Sequence, residues 1–212
     1  MKVAIAGGHG KIALRLTRML RDDSHEVLSI IRKEEHSEDV EAAGGQPMLA
    51  DLEQNEVKEL AKVIGSVDAV VFAAGAGPGS GPERKWTVDY EGAVKLIDAA
   101  KLNSISRYLM VSAVGADPDA PGDDTFAVYL RAKGKADEDL INSGLEYTII
   151  RPTRLTDDPG DGRVRVGEPA GSIPRDDVAA VLAASLKESS TIDKLFVVTD
   201  GDDPVEESLR SL

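Results

Sequence analysis

The amino-acid sequence predicts an α/β domain built on a doubly wound parallel sheet. Short apolar runs alternate with helix-length amphipathic segments from one end of the chain to the other, which is typical of a parallel sheet covered by helices on both faces. Runs such as "DAVVFAAG" and "EYTIIRP" are continuously apolar rather than alternating, as expected of strands buried on both sides. The predicted architecture therefore has three layers, with the sheet in the middle.

The elements follow from this alternation in chain order. Acidic residues open the predicted helix that begins "PRDDVAAVLAASL", which suits the positive end of the helix dipole. A last short helix is predicted from Asp203, with Asp203 as its cap, Pro204 at its first position and Glu206 completing a capping box. Strands are predicted at 3–6, 26–31, 46–50, 69–73, 108–112, 147–151 and 195–199, and helices at 11–21, 35–43, 55–64, 84–102, 125–142 and 175–187.

Length and composition predict one intracellular domain. The 212 residues are enough for one well-buried domain and contain no linker-like segment, so we expect a single domain over 1–212 with a small substrate-side region around 152–174 and 200–212. The absence of cysteine excludes disulfides and thiolate metal sites and favours a reducing, cytoplasmic location. The first apolar run begins at residue 2, which leaves no room for a signal peptide, and no run approaches the roughly 20 apolar residues that span a bilayer.

The formal net charge of -13 limits the partners of this chain. Its long-range field repels polyanions, so we expect neither nucleic acid nor a membrane surface as a partner. The acidity fits either an ordinary acidic protein or one adapted to a high-salt habitat. The histidines His9, His25 and His36 lie in separate segments, and no metal site is expected from them.

A glycine-rich loop follows the first predicted strand. The stretch "GGHGKIA" at 7–13 satisfies two registers, one with Gly7, Gly10 and Ala13 and one with Gly8, Gly10 and Ala13. The glycines allow a tight turn and a close approach to a pyrophosphate, whose charge faces the amides at the start of the next helix. The loop predicts dinucleotide binding, and with it a Rossmann fold with strand order 3-2-1-4-5-6-7 and no large second domain.

The end of the second strand favours NADP over NAD. An acidic residue there would bind the ribose 2′-hydroxyl of NAD, whereas this chain has Arg32 and Lys33, and guanidinium binds a 2′-phosphate well. Alternatively, Arg32 and Lys33 pair with the neighbouring Glu34 or Glu35. Asp51 could accept from the adenine amino group or cap the next helix, and Lys11 could lie near the phosphates or face solvent. The predicted cofactor-binding residues are Gly7, Gly8, His9, Gly10, Lys11, Ile12, Arg32, Lys33, Asp51, Leu52, Ala73, Ala74, Gly75 and Pro152.

Several further motifs occur in an order that resembles a known family. After the glycine loop come "ADL", "FAAGAG", "VDYEGAVKLIDAA", "YLMVSAVGAD", "YLRAK" and "SGLEYTIIRPTRLTDDPGDGRV", so the resemblance covers nearly the whole chain. This order resembles the atypical branch of the short-chain dehydrogenase/reductase superfamily. That branch contains NAD-dependent epimerases or dehydratases and NmrA-like and flavin-reductase-like relatives.

The resemblance implies a catalytic group. The family's serine matches Ser112, its tyrosine Tyr129 and its lysine Lys133; in the family the lysine binds the nicotinamide ribose and lowers the tyrosine pKa, while the serine orients the substrate oxygen. A phenol needs such a nearby cation to act as a base near neutral pH, and residues four apart share a helix face. Where the superfamily commonly has asparagine, this chain has Asp89, an acceptor when ionised, which makes a proton relay through it different.

Together these residues predict an NADP-dependent oxidoreductase that acts on a small carbonyl or alcohol substrate as a monomer or homodimer. A bulky nucleotide-sugar substrate is not expected, because the chain stops shortly after the seventh strand. Two alternatives stay open: an epimerase or dehydratase that uses the same cofactor transiently, and an NmrA-like redox sensor that binds the dinucleotide without turnover.

Overall fold

A computed structural model describes residues 1–212 as one α/β domain around a central sheet of nine strands. A second sheet contains two short strands. The strands are β1 (Lys2–Ala6), β2 (Glu26–Ile31), β3 (Gln46–Leu49), β4 (Ala69–Phe72), β5 (Arg107–Val111), β6 (Glu146–Pro152), β7 (Arg154–Thr156), β8 (Arg163–Val166), β9 (Ser172–Pro174), β10 (Lys194–Asp200) and β11 (Asp203–Pro204).

The predicted strand order is confirmed. The central sheet runs β3-β2-β1-β4-β5-β6-β10, and every neighbouring pair in that run is parallel. Beyond β10, β8 pairs antiparallel with β10 and β11 pairs antiparallel with β8, while β7 and β9 form the separate sheet. The sequence did not indicate these four strands, because segments such as "RVRV" and "SIP" are too short and too polar to stand out as apolar runs.

Most of the predicted helices are present within one or two residues of the expected limits. None combines the length and apolar character that crossing a membrane requires. The helices are α1 (Lys11–Asp22), α2 (Ser37–Ala42), α3 (Val57–Ile64), α4 (Pro82–Arg84), α5 (Gly92–Leu102), α6 (Thr125–Ile141), α7 (Arg175–Ser185) and α8 (Val205–Arg210), with 3₁₀ turns at Glu34–His36 and Ser189–Thr191 and a π-helical segment at Lys85–Glu91.

Two predicted elements differ from the structure. The helix predicted at 84–102 is divided, because the π-helical segment Lys85–Glu91 separates α4 from α5. An apolar period does not reveal one additional residue in a helical turn, and such π segments are frequent at functional sites. Asp203 does not cap α8: it pairs with β8 instead, and Pro204 holds the cap position without a side-chain hydrogen bond.

The sheet is buried on both faces. Alternate residues of β1 enter opposite cores, with Ala4 in one and Val3 in the other. The first core is closed by α3, α5 and α6, and the second by α1, α7 and α8. This explains the continuously apolar strands and confirms the three-layer Rossmann class.

The strand order also positions a crevice. The chain passes from β1 outward to β2 and β3 and then returns to β4 on the other side of β1. The loops that follow these strands diverge at the carboxyl edge of the sheet, and ligands of open α/β sheets bind at this point.

Candidate dinucleotide and catalytic site

The glycine loop after β1 is shaped by close backbone contacts. Gly7 has φ +78°, and a Cβ atom there would lie 2.7 Å from the Cα of Ala74. A Cβ on Gly8 would lie 2.6 Å from the Cβ of Ser29, and the Gly8 amide donates to the carbonyl oxygen of Ile30 (2.9 Å). Gly10 caps α1 without a side chain, so the first amides of a 12-residue helix stay available to an anion.

A cleft of about 290 Å³ lies in front of this loop. It is bounded by the loops after β1, β2, β3 and β4, as the strand order requires. Of the predicted cofactor-binding residues, Gly7, His9, Gly10, Arg32, Asp51, Leu52, Ala73, Ala74 and Gly75 line the cleft, whereas Gly8, Lys11, Ile12, Lys33 and Pro152 do not.

The basic pair after β2 divides between two environments. Lys33 points away from the cleft and bonds to Glu35 at 2.8 Å, which is the alternative considered for it. Arg32 lines the cleft, and its guanidinium lies 3.5 Å from the carboxylate of Glu53. Arg32, and not Lys33, therefore faces the cleft.

A second arginine shares this carboxylate. Arg84 also lines the cleft, and its Nη2 atom lies 2.7 Å from Glu53, which accepts from the Thr87 hydroxyl as well. The Arg84 hydrogen bond holds the pKa of Glu53 below its usual value, so Glu53 is ionised between the two guanidinium groups. Sequence reasoning missed Arg84, because only the folded chain places it opposite the end of β2.

Other predicted residues have specific partners. His9 stacks on His36 with ring centroids 3.8 Å apart, and its Nε2 atom lies 2.7 Å from Asp39. Lys11 lies on the outer side of α1 and bonds to Asp157 at 2.5 Å. Pro152 is buried at the end of β6, where its carbonyl accepts from the amide of Val114.

Asp51 lines the cleft but does not cap a helix. Its Oδ1 atom accepts from the amide of Glu53 at 2.9 Å, whereas Glu56 and Glu59 form the capping box of α3. The capping alternative for Asp51 is therefore wrong, since α3 begins only at Val57 and Glu56 holds its cap position.

Lys133 and Asp89 form a buried ion pair close to the cleft. The Lys133 ammonium lies 3.4 Å from Asp89, and their side chains are 4% and 1% exposed. Lys133 also donates to the carbonyl of Val111, and Asp89 accepts from the amide of Ala76, which lines the cleft. Burial acts to lower the pKa of Lys133, but the neighbouring acidic groups Asp89, Tyr129 and Asp137 together outweigh it and the pKa is raised, so this lysine is charged.

Lys85 lies on the same π-helical segment as Asp89, four residues before it, but is not its partner. Lys85 does not reach Asp89; it donates to the carbonyl of Gly77 and lies 5.5 Å from the ring centre of Tyr129. Asp89 meets Lys133 because the π-helical segment packs against α6.

Tyr129 lies one helical turn before Lys133 on α6, and its pKa is raised. Burial is the largest cause, and the carboxylates of Asp89 and Asp137 add to it, while the Lys133 charge lowers it only in part. The resemblance implied a net lowering of this pKa. The direction is opposite in this protein because burial disfavours the phenolate more than the Lys133 charge stabilises it, and the carboxylates of Asp89 and Asp137 add to the effect.

Ser112 takes part in a second buried network. Its hydroxyl donates to Asp137 at 2.8 Å, and the same carboxylate oxygen accepts from Arg151. Burial raises the pKa of Asp137. The sequence contained an indication of this residue, because Asp137 lies four positions after Lys133 and therefore on the same face of α6.

The fold and the cleft define a class. A parallel sheet of this order, a glycine loop at the start of α1 and a cleft at the switch point between β1 and β4 are the features of an NAD(P)-binding Rossmann protein. The NAD(P)H-binding family matches residues 7–189, and the chain belongs to this family.

Similar proteins agree with this assignment. The uncharacterised sugar epimerase YhfK of Bacillus subtilis is 40% identical, with both chains covered completely. A structure from Bacillus halodurans, assigned by name to the NAD-dependent epimerase/dehydratase class, has a TM-score of 0.92 at 38% identity over 100% of both chains. The oxidoreductase ylbE of Lactococcus lactis has a TM-score of 0.87 at 27% identity, over 100% of this chain and 96% of its own. The expected resemblance to NAD(P)-binding Rossmann proteins with epimerase-like and oxidoreductase relatives is thereby confirmed.

Proposed function

We propose that this protein is an NADP-dependent oxidoreductase that interconverts a small carbonyl compound and its alcohol. The observation that carries the proposal is the position of Tyr129 beside the buried pair of Lys133 and Asp89, which is bonded to the wall of the dinucleotide cleft through Ala76. Tyr129 and Lys133 do not themselves line the cleft, but a phenol next to a buried cation close to it is equipped to give a proton to an oxygen atom.

Tyr129, Lys133 and Ser112 would each have a separate role in such a reaction. A bound nicotinamide supplies or accepts the hydride. Tyr129 keeps its proton near neutral pH because its pKa is raised, which suits it to protonate the substrate oxygen during reduction. The Lys133 charge then favours the phenolate that remains. Ser112 orients the substrate oxygen once its hydroxyl turns from Asp137 towards the substrate.

The remaining sites follow from the cleft. The loop residues Gly7, Gly8 and Gly10, with the first turn of α1 including Ile12, would hold the pyrophosphate. Asp51 and Leu52 would contact the adenine, and Ala73, Ala74 and Gly75 would lie along the nicotinamide half. The strands within 152–174 and the segment 200–212 would form the substrate side. In this region β8 adds an antiparallel strand to the sheet beside β10.

The preference for NADP rests on Arg32 and Arg84. A 2′-phosphate would replace Glu53 as the partner of one or both guanidinium groups, and guanidinium binds phosphate in a bidentate manner. Glu53 then has the role of holding both arginines in place when no phosphate is bound.

Calorimetric titration with NADPH and NADH tests this preference. We expect Arg32→Ala to weaken NADPH binding by roughly 10- to 100-fold and to leave NADH binding nearly unchanged, since one charged hydrogen-bonding partner is lost. Lys33→Ala is the matched control, because Lys33 carries the same charge one residue away and does not line the cleft. Equal affinities of the unmodified protein for NADPH and NADH would exclude the preference.

A screen of small carbonyl compounds that follows NADPH absorbance tests the activity. The names of the Bacillus relatives support a second candidate, an epimerase or dehydratase in which the hydride returns to the substrate. Chromatography of products formed with NADP⁺, which can accept the hydride first, distinguishes the two: an epimerase or dehydratase changes its substrate without net formation of NADPH. Tight NADPH binding without any product would instead favour a sensor.

A further inference from the structure

An acidic cavity lies apart from the cofactor cleft. It has a volume of about 260 Å³, shares no lining residue with the cleft, and is bordered by the ends of β7 and β10, by β9 and by the first turn of α7. Its lining has no apolar side chain other than proline. The lining residues are Thr156, Asp158, Pro159, Asp161, Ser172, Pro174, Asp177 and Asp200.

Three carboxylates converge in this cavity. Asp161 precedes β8, Asp177 is in the first turn of α7, and Asp200 ends β10, and one oxygen of each lies within 4.8 Å of the others. Like charges at this separation repel one another. None of the three carboxylates has an ion-pair partner, and no basic side chain lines the cavity.

Asp177, the buried carboxylate of the three, lacks a hydrogen-bond partner on one oxygen, and this indicates a ligand. Asp177 is 2% exposed; its Oδ1 atom accepts from the amide of Gly162 at 2.8 Å, but its Oδ2 atom is buried without any hydrogen-bond partner. The hydroxyl of Thr156, which lines the same cavity, is also buried without a partner. Leaving a buried carboxylate oxygen unpaired is costly, and a cation among these oxygens would satisfy it.

We propose that Asp161, Asp177, Asp200 and Thr156 form a binding site for a hard divalent cation, with calcium as the preferred ion. Carboxylate and hydroxyl oxygens are ligands of Ca²⁺, which binds them at about 2.3–2.6 Å, so two ligands of one ion lie at most roughly 5 Å apart. The observed spread of 4.8 Å satisfies this limit without movement of the chain. Mg²⁺ binds at about 2.0–2.1 Å and would require the carboxylates to approach one another.

The bound ion would have a structural role. It would join β7, the loop before β8, α7 and the end of β10, all of which belong to or border the region proposed as the substrate side. The site departs from the sequence-based expectation of no metal, which considered cysteine and histidine ligands only. It does not rest on the proposed oxidoreductase activity, since the cavity is separate from the cofactor cleft.

Calorimetric titration of the full, chelator-treated chain with CaCl₂ at fixed ionic strength tests the site. We expect one Ca²⁺ per chain and a melting temperature that rises with Ca²⁺ concentration, because the ion binds the folded state. Asp177→Asn keeps an oxygen for the Gly162 amide but removes the charge, and we expect it to weaken Ca²⁺ binding by about tenfold or more. Asp200→Asn should do the same at an exposed position where folding is not at risk.

Asp123→Asn is the matched control. It removes one negative charge at an exposed position outside the cavity, so it reproduces the change in the long-range field without removing a ligand. Retained Ca²⁺ affinity in this control, together with its loss in Asp200→Asn, supports the site. Absence of a one-to-one binding event, or an equal loss in the control, would overturn it, because diffuse attraction by the net charge would then be the explanation.

Discussion

The rim of the dinucleotide cleft and the buried core next to it, called the floor, each hold a cation against a carboxylate, but in different surroundings; Arg32 lines the cleft, whereas Lys133 and Asp89 do not. On the rim, Arg32 lies 3.5 Å from Glu53 with its side chain 46% exposed. On the floor, Lys133 lies 3.4 Å from Asp89 and both side chains are almost completely buried. Nearly equal distances therefore have different consequences. Water screens the rim pair, which can exchange its partner for a phosphate, whereas the floor pair is a permanent part of the fold.

The largest expected effect is on turnover, at Tyr129, the proposed proton donor beside the floor pair. We expect Tyr129→Phe to lower the turnover of an identified substrate by about 10²–10⁴-fold, because the proton is then no longer delivered by a positioned acid. NADPH affinity should stay within about twofold, since the ring is retained. Steady-state kinetics and calorimetry measure the two effects, and undiminished turnover would exclude Tyr129 as the acid.

Removing the buried cation should have the next largest effect. We expect Lys133→Met to lower the free energy of unfolding by about 3–5 kcal/mol, because it leaves the Asp89 carboxylate buried without a compensating positive charge. Urea unfolding measures the change. The double variant Lys133→Met with Asp89→Leu should recover much of the loss, since no unpaired charge remains; a single variant as stable as the parent protein would contradict a permanent floor pair.

The pH dependence of reduction should show a smaller effect. The pKa of Tyr129 is raised, so the phenol stays protonated below its ordinary value of 10.0, and protonated acid is lost only as the pH rises beyond that value. We therefore expect the turnover attributable to this group to change by less than about twofold between pH 6 and 9. A pH–rate profile checks this; a decline centred between pH 7 and 8 would show that the lysine, and not burial, controls the tyrosine.

The smallest expected effect is on the stability of the rim. We expect Arg32→Ala to change the free energy of unfolding by less than about 1 kcal/mol, because exposed ion pairs contribute little. Urea unfolding of Arg32→Ala and Lys133→Met under the same conditions compares the two losses of unfolding free energy directly. A loss at Arg32 as large as that at Lys133 would mean that the rim pair is structural.

The sequence was informative wherever a function depends on local pattern. The glycine loop and the apolar strands follow from turn chemistry and short-range periodicity, the strand order follows from the Rossmann class that they indicate, and the structure confirms all three. The sequence also predicted, as an alternative, the pairing of Lys33 with a neighbouring glutamate, because the two residues are only two positions apart. Arg84 was not, since it meets Glu53 only across a separation of 31 residues.

The amino-acid sequence therefore determined the Rossmann class, the cofactor loop and the candidates Ser112, Tyr129 and Lys133, because each lies within a local motif or at a strand end. Only the tertiary structure decided which charges surround Lys133 and Tyr129 and in which direction their pKa values move. Asp89 reaches Lys133 through the packing of a π-helical segment against α6, and burial then sets the direction of the Tyr129 pKa. Electrostatic effects of this kind depend on distance and on exclusion of water, and neither is encoded in spacing along the chain.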